Sequence, residues 1–238
     1  MSTLTFTIQP ELFTPFPALT VHGLRVENMR KAIDAVQAEA LLLEAVQACD
    51  IDPEKVAEDP QVAAWREAYG MMGVKPSKFR SSIEALLRRA AKKGDIAIPV
   101  ALVNLYNACS IITKAPMGAY DIDRLGARTK LDLRKARPES DRFEPLGGEA
   151  SAFPLNPNLV VYGADDDVMC WGFNCRDSKL AALTAECDCA VFCSEAALPI
   201  HQAPALAALE LLRDKLLAMG AQCSLVQMAN RERPEFRL

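Results

Sequence analysis

Across residues 99–109 an apolar run carries Asn104, Tyr106 and Asn107 through its middle, and a turn with Pro116 and Gly118 then delivers Tyr120, Asp121 and Asp123. Polar side chains inside such a run cost free energy unless a partner or a ligand satisfies them. The chain must therefore fold this stretch against a polar network or around a pocket, and a site is to be sought here first. Residues 96–103 alternate as a strand does, whereas the periodicity of residues 105–113 fits either a helix or a buried strand.

The rest of the chain mixes the two periodicities. Residues 4–8 and 19–25 read as short strands separated by a Pro-rich turn, and residues 27–49, rich in Ala and Leu and free of Pro and Gly, as one helix. Asp52 with Pro53 predicts a second helix and residues 60–69 a third. A loop follows at 70–76, and Ser77, Ser81 or Ser82 can cap a helix over 83–92 that stops at Lys93 and Gly94. Strands are expected at 131–135, 158–162, 168–173 and 189–194, with an acidic turn at 165–167. Residues 203–219 form an amphipathic pattern closed by Gly220, residues 222–228 read as a strand, and 231–238 as a loose polar tail. This order predicts a single α+β unit: a largely helical N-terminal portion of strands and helices over residues 1–70, packed on a core over 71–238 with a central mixed or antiparallel sheet, flanking helices and a C-terminal helix and strand.

Composition excludes several classes. No apolar stretch of the 238 residues approaches the roughly 18 needed to cross a bilayer, and the first residues lack the basic start and apolar run of a secretory signal. A cytoplasmic protein is expected, and its eight cysteines are expected to be reduced. Cys187, Cys189 and Cys193 invite a metal reading. Their spacings lack the paired CxxC pattern of a structural zinc site, and packing as small apolar groups is expected instead. The net charge of −4 argues against a protein that coats long nucleic acids. Positive charge is nevertheless concentrated at 75–93 and 124–142, which suggests a local anion-facing surface.

The chain holds no GxGxxG, P-loop, HExxH or GxSxG pattern. His22 and His201 are its only histidines and stand apart from any nucleophile pattern, so a reaction here would rest on positioning substrate and water.

Segments 73–89, 102–107, 116–123, 147–149, 160–165 and 170–178, with Thr184 beyond, resemble in this order the editing (tRNA-binding) domain of the phenylalanyl-tRNA synthetase beta subunit. They are closer still to free-standing proteins made of that domain alone. The resemblance spans about residues 71–195. It implies a cofactor-free, trans-editing aminoacyl-tRNA deacylase acting on mischarged tRNA, with canavanyl-tRNA for arginine as one branch. Asn107 falls on the family's pocket asparagine, and Gly118 takes the place where the synthetase commonly has a histidine. Residues 170–175 correspond to its Gly-rich pocket wall but hold Trp171, Phe173 and Asn174. The glutamate that recognises a tyrosine hydroxyl would fall near Ala190, with Glu195 close by. The alternative within the same fold is a non-catalytic module that binds tRNA or an amino acid.

Ester hydrolysis needs a placed water, a donor for the developing oxyanion and a side-chain pocket. Asn107 and Tyr106 are the candidates to hold the α-amino or carbonyl group, and backbone amides from Gly172 to Asn174 the candidate oxyanion donors. Gly118 and Tyr120 belong to the same candidate pocket. Asp121, Asp123 and Glu195 are candidate acceptors for a cationic side chain, which could stack on Trp171. Lys78, Arg80, Arg88 and Arg89 are the candidate contacts to tRNA phosphates. Each has a plainer alternative: turn caps for the aspartates, core positions for Trp171 and Tyr106, solvated faces for the cations.

Overall fold

The computed structural model describes residues 3–238. In chain order the elements are β1 (Thr5–Ile8), β2 (Thr20–Glu27), α1 (Met29–Ala32), α2 (Ala35–Ala48), α3 (Pro60–Met71), α4 (Ser82–Ala91) and α5 (Ala101–Thr113). After them come β3 (Gly118–Asp121), α6 (Ile122–Leu125), β4 (Lys130–Lys135), β5 (Val160–Ala164), β6 (Asp167–Trp171), β7 (Arg176–Asp177) and β8 (Cys189–Ala196). The chain closes with α7 (Gln202–Ala218), β9 (Gln222–Cys223), β10 (Gln227–Ala229) and β11 (Glu235–Arg237).

The architecture is α+β. One sheet runs β11-β1-β4-β5-β6-β7 and the other β10-β2-β8-β3, with β9 paired to β2. Only β1 and β4 pair in parallel within the first sheet, which is otherwise antiparallel. Rings meet between the sheets: Tyr162 of β5 lies 5.9 Å from Phe6 of β1 and 5.7 Å from Tyr120 of β3. Along β8 the side chains alternate as a strand requires, so Val191 and Cys193 enter the core between the sheets. Ala190 and Phe192 enter a second core with residues of α5 and α7. Residues 1–70 supply β1 and β2, which lie inside the two sheets beside β4 and β8.

Local chemistry explains the helix starts. Asp34 caps α2, Asp59 caps α3 with Pro60 at its first position, and the Ser81 hydroxyl accepts from the Glu84 amide at the start of α4. Lys93 donates to the carbonyls of Val46, Gln47 and Cys49 and so closes the end of α2 against the α4 terminus.

Five sequence expectations are corrected. The 27–49 helix is broken at Ile33, because Asp34 takes the extended conformation and starts a new N-terminus. Asp52 and Pro53 make a turn instead of a helix, with the Asp52 carboxylate accepting from the Glu54 amide at 3.0 Å. Residues 96–100 are irregular rather than a strand, since the Asn104 side chain accepts from the Ile98 amide at 2.9 Å and donates to its carbonyl at 2.8 Å. Residues 105–113 resolve to helix. The expected strand at 222–228 is split into β9 and β10, and the tail expected to be loose instead pairs with β1 as β11, anchored by Phe236 stacked 4.9 Å from Phe6.

Candidate functional site

The strand alternation that buries Val191 and Cys193 also carries Glu195 into the gap between the sheets, where it is only 1% exposed. Its Oε2 accepts from the Tyr162 hydroxyl at 2.8 Å and its Oε1 from the Asn174 amide at 2.6 Å. The Asn174 oxygen in turn accepts from the Ser82 backbone amide at 3.1 Å, which fixes which way that side chain points. The Tyr69 hydroxyl completes the network, donating to the Gly172 carbonyl at 2.7 Å and lying 3.2 Å from the Asn174 oxygen. Burial lifts the Glu195 carboxyl from 4.5 to about 7, and the hydrogen bonds from Asn174 and Tyr162 only partly oppose it.

The hairpin that presents Asn174 is held in an uncommon shape. Gly172 and Phe173 both take positive φ, 67° and 59°. Phe173 tolerates this because its ring is pinned at 5.3 Å from Phe16 and 5.6 Å from Trp65. Two of the amides expected as oxyanion donors are spent here: Phe173 donates to the Val160 carbonyl at 3.0 Å and Asn174 to that of Gly172 at 2.7 Å. This expectation is therefore corrected, because the turn consumes these donors and offers the Asn174 side chain in their place.

Beside the network lies the edge of the gap, where β3 borders one sheet and β7 the other. Tyr106 and Asn107 on α5, Gly118 on β3 and Asp177 on β7 are all half-buried, whereas Tyr120 is buried. The Tyr120 hydroxyl hangs over Gly118, so that a Cβ at that glycine would lie 3.3 Å from it. The Tyr106 ring packs edge-on against Phe192 at 6.2 Å. Among the described residues the hydroxyls of Tyr106 and Tyr120 and the amide of Asn107 have no hydrogen-bond partner. Burial above all, then the neighbouring acidic groups of Asp177 and Cys170, raises the pKa of both hydroxyls, so they stay neutral.

The other predicted residues lie elsewhere. Trp171 follows Cys170 on β6 and so faces the opposite side, against Phe79 at 4.7 Å and Phe153 at 5.8 Å, with its Nε1 donating to the Pro154 carbonyl. It lines a separate cleft of about 310 Å³ with Lys75, Lys78 and Phe79. Asp121 caps α6 through the amides of Asp123 and Arg124, while Asp123 is exposed beside Arg25 and Asp188. Both sit near the Ala190 end of β8, a strand's length from Glu195. Arg80 and Arg88 converge with Arg66 on Glu84, whose side chain is wholly buried. Arg89 is turned to the Ile96 carbonyl, and the Lys78 ammonium stands 5.0 Å over the Phe79 ring.

Sequence reasoning passed over Tyr69, Tyr162 and Asp177. Tyr162 and Asp177 stand within stretches that carried the resemblance, but their roles depend on cross-strand partners far away in sequence. Cys187 and Cys193 belong to different cores, and among the described residues no group of three or more His, Cys, Asp or Glu side chains is placed to hold a metal ion. Nor is any helix there long and apolar enough to cross a membrane.

The sequence signature of the B3/4 domain matches residues 64–208, a stretch that runs from α3 through the Glu195 network into α7. The chain belongs to the B3/4 domain family. Tyr106, Asn107, Gly118, Asp177 and Glu195 all lie within the matched B3/4 segment. No curated protein sequence matches the chain. Among solved structures, an N-terminal fragment of the phenylalanyl-tRNA synthetase beta-subunit from Pyrococcus horikoshii aligns with 10% identity and a TM-score of 0.48. That alignment covers 93% of this B3/4 chain and 50% of the other, so the chain spans half the length of that fragment.

Proposed function

We propose that this B3/4 protein is an aminoacyl-tRNA deacylase that acts in trans. What carries the reading is the open edge of the inter-sheet gap, where two neutral hydroxyls and a carboxamide without protein partners stand beside a sealed carboxyl network. In the reaction, water adds to the ester carbonyl and the terminal ribose oxygen leaves with a proton, giving a free amino acid and a free tRNA end. The Asn107 amide donates to the oxyanion as it develops and the Tyr106 hydroxyl orients the aminoacyl group. The chain brings no histidine to this place: His22 lies on β2 and His201 is stacked on Trp65 at 4.5 Å.

Lys78, Arg80, Arg88 and Arg89 would meet tRNA phosphates, with Arg80, Arg88 and Arg66 as the strongest group because Glu84 neutralises only one of their three charges. Glu195 has both oxygens engaged by Tyr162 and Asn174, which leaves little acceptor capacity for a tyrosine hydroxyl. A tyrosine side chain is thus disfavoured, and canavanyl-tRNA for arginine, the branch that the resemblance implies, is the first substrate to test.

A panel of tRNAs with correct and incorrect amino acids, canavanyl-, arginyl- and tyrosyl-tRNA included, decides the matter. Hydrolysis of one mischarged species with its cognate partner spared, and a loss of about a hundredfold in Asn107→Ala, is the expected result. Unchanged turnover in both Asn107→Ala and Tyr106→Phe removes the assignment. Binding of tRNA with no hydrolysis across the panel means a non-catalytic module.

A further inference from the structure

Asp177 is the one carboxylate of the open edge that the proposed reaction does not use. It pairs across the sheet with Cys170, and Cys170 pairs with Tyr162, so the three side chains share the face turned to the gap. From Tyr162 that face continues to Tyr120 at 5.7 Å and to Glu195 at 2.8 Å. Its sequence neighbour Arg176 points to the other face, donating to the Leu146 carbonyl at 3.4 Å with its guanidinium 5.3 Å from the Phe153 ring centroid. Among the described residues Asp177 therefore makes no ion pair.

A partly desolvated carboxylate without a cation carries a cost, and a cationic ligand relieves it. Burial raises the Asp177 pKa, with the Cys170 thiol and Arg176 opposing, and its charge is felt at the hydroxyls of both Tyr106 and Tyr120. One carboxylate and two neutral hydroxyls, none with a cation of its own, are an acceptor set for a group that has three N–H donors and no acceptor. That description fits a primary ammonium group.

We propose that the carboxylate of Asp177, together with the hydroxyls of Tyr106 and Tyr120, receives the α-ammonium group of the aminoacyl moiety at the open edge of the gap. The inference rests on the deacylase reading for its ligand and leaves Asn107 free for the ester carbonyl. It makes Asp177 the residue that separates an aminoacyl end from one whose amino group is blocked.

The test measures binding rather than turnover. The probes are two RNA hairpins ending in CCA with an amide-linked glycyl group on the terminal ribose, one with a free amino group and one N-acetylated. Glycine is the smallest side chain and asks least of the pocket. The wild-type protein should bind the free-amino probe about tenfold more tightly than the acetylated one. Asp177→Asn should bring the two affinities together, and Asp177→Glu, which keeps the charge, should retain most of the preference. Equal binding of the two probes by the wild-type protein, no binding of either, or an undiminished preference in Asp177→Asn overturns the proposal. Ester hydrolysis by the wild-type protein is scored separately. A preference that depends on Asp177 without hydrolysis sinks the deacylase reading and keeps the ammonium site; hydrolysis without the preference does the reverse.

Discussion

Replacing Glu195 by Gln isolates the cost of the buried carboxyl. The folded protein holds this group near 7, against 4.5 for an exposed glutamate, and burial is the dominant cause. A raised pKa means that folding favours the protonated form. Its contribution to stability is intact below pH 4.5, is lost progressively as pH rises, and levels off above about 7. The gap between those values corresponds to about 3 kcal/mol, with no discount for solvent because the side chain is buried. His22 and His201 act in the opposite sense. Burial lowers each to about 4, so their contribution is lost as pH falls from 6.5 toward 4. The wild-type profile alone therefore mixes opposing slopes, and the informative quantity is the difference between Glu195→Gln and wild type, in which the histidines cancel. Gln has nearly the same shape, and its amide oxygen can still accept from Asn174. Urea unfolding followed by tryptophan fluorescence between pH 4.5 and 8 should show the variant gaining about 3 kcal/mol on the wild type across the range. A difference that stays flat between pH 5 and 7.5 would mean that Glu195 ionises as an ordinary carboxylate, and the argument from burial would be wrong.

Four further substitutions test the packing around the site. Glu84→Gln removes the carboxylate shared by Arg66, Arg80 and Arg88, and should cost about 3 kcal/mol in chemical unfolding. Glu144→Gln, which breaks only the exposed pair with Lys179, should cost less than about 0.5 kcal/mol; equal losses would refute the distinction. Gly163→Ala places a Cβ 2.7 Å from the Asp132 carboxylate and 2.8 Å from the Arg134 guanidinium, and should lower stability by about 1–3 kcal/mol in the same assay. Gly118→Ala meets only the Tyr120 hydroxyl at 3.3 Å, so its melting temperature should barely move while deacylation falls; unaltered deacylation would place the reacting group elsewhere.

What the sequence reveals follows the range of the interaction that decides it. Asp59 with Pro60, and Ser81 with Glu84 three residues on, mark helix starts by bonds within one turn, and α3 and α4 begin there. Residues 96–100 mislead because Asn104 clamps the Ile98 peptide from inside the next helix, a contact that periodicity does not encode. The tail misleads for a related reason: three residues with one buried ring are too short for a pattern, and β11 exists only because Phe6 is there to stack on. At the site, the polar positions of the 99–123 stretch were visible as an anomaly. The alternation that buries Glu195 is local too, but its partners Tyr162, Asn174 and Tyr69 come from three other segments. Tyr106 and Tyr120 were found from the stretch itself, whereas Asp177 needed the pairing of β6 with β7.

The same network bears on how the chain divides. Tyr69 stands on the Gly172 carbonyl and Trp65 on the Phe173 ring, so α3 holds the hairpin that presents Asn174 to Glu195. β2 pairs along eight residues with β8, the strand that carries Glu195. A chain starting at residue 71 would thus lose the neighbour of β8, expose the inner edge of both sheets and leave the strained turn at Phe173 without its aromatic clamp. Residues 1–70 and 71–238 should therefore not separate into independent units: the shortened chain should give no cooperative melt, and supplying residues 1–70 in trans should be the only way to restore one. A cooperative melt of residues 71–238 alone would show that the carboxyl network is self-supporting and that the N-terminal strands merely cover it.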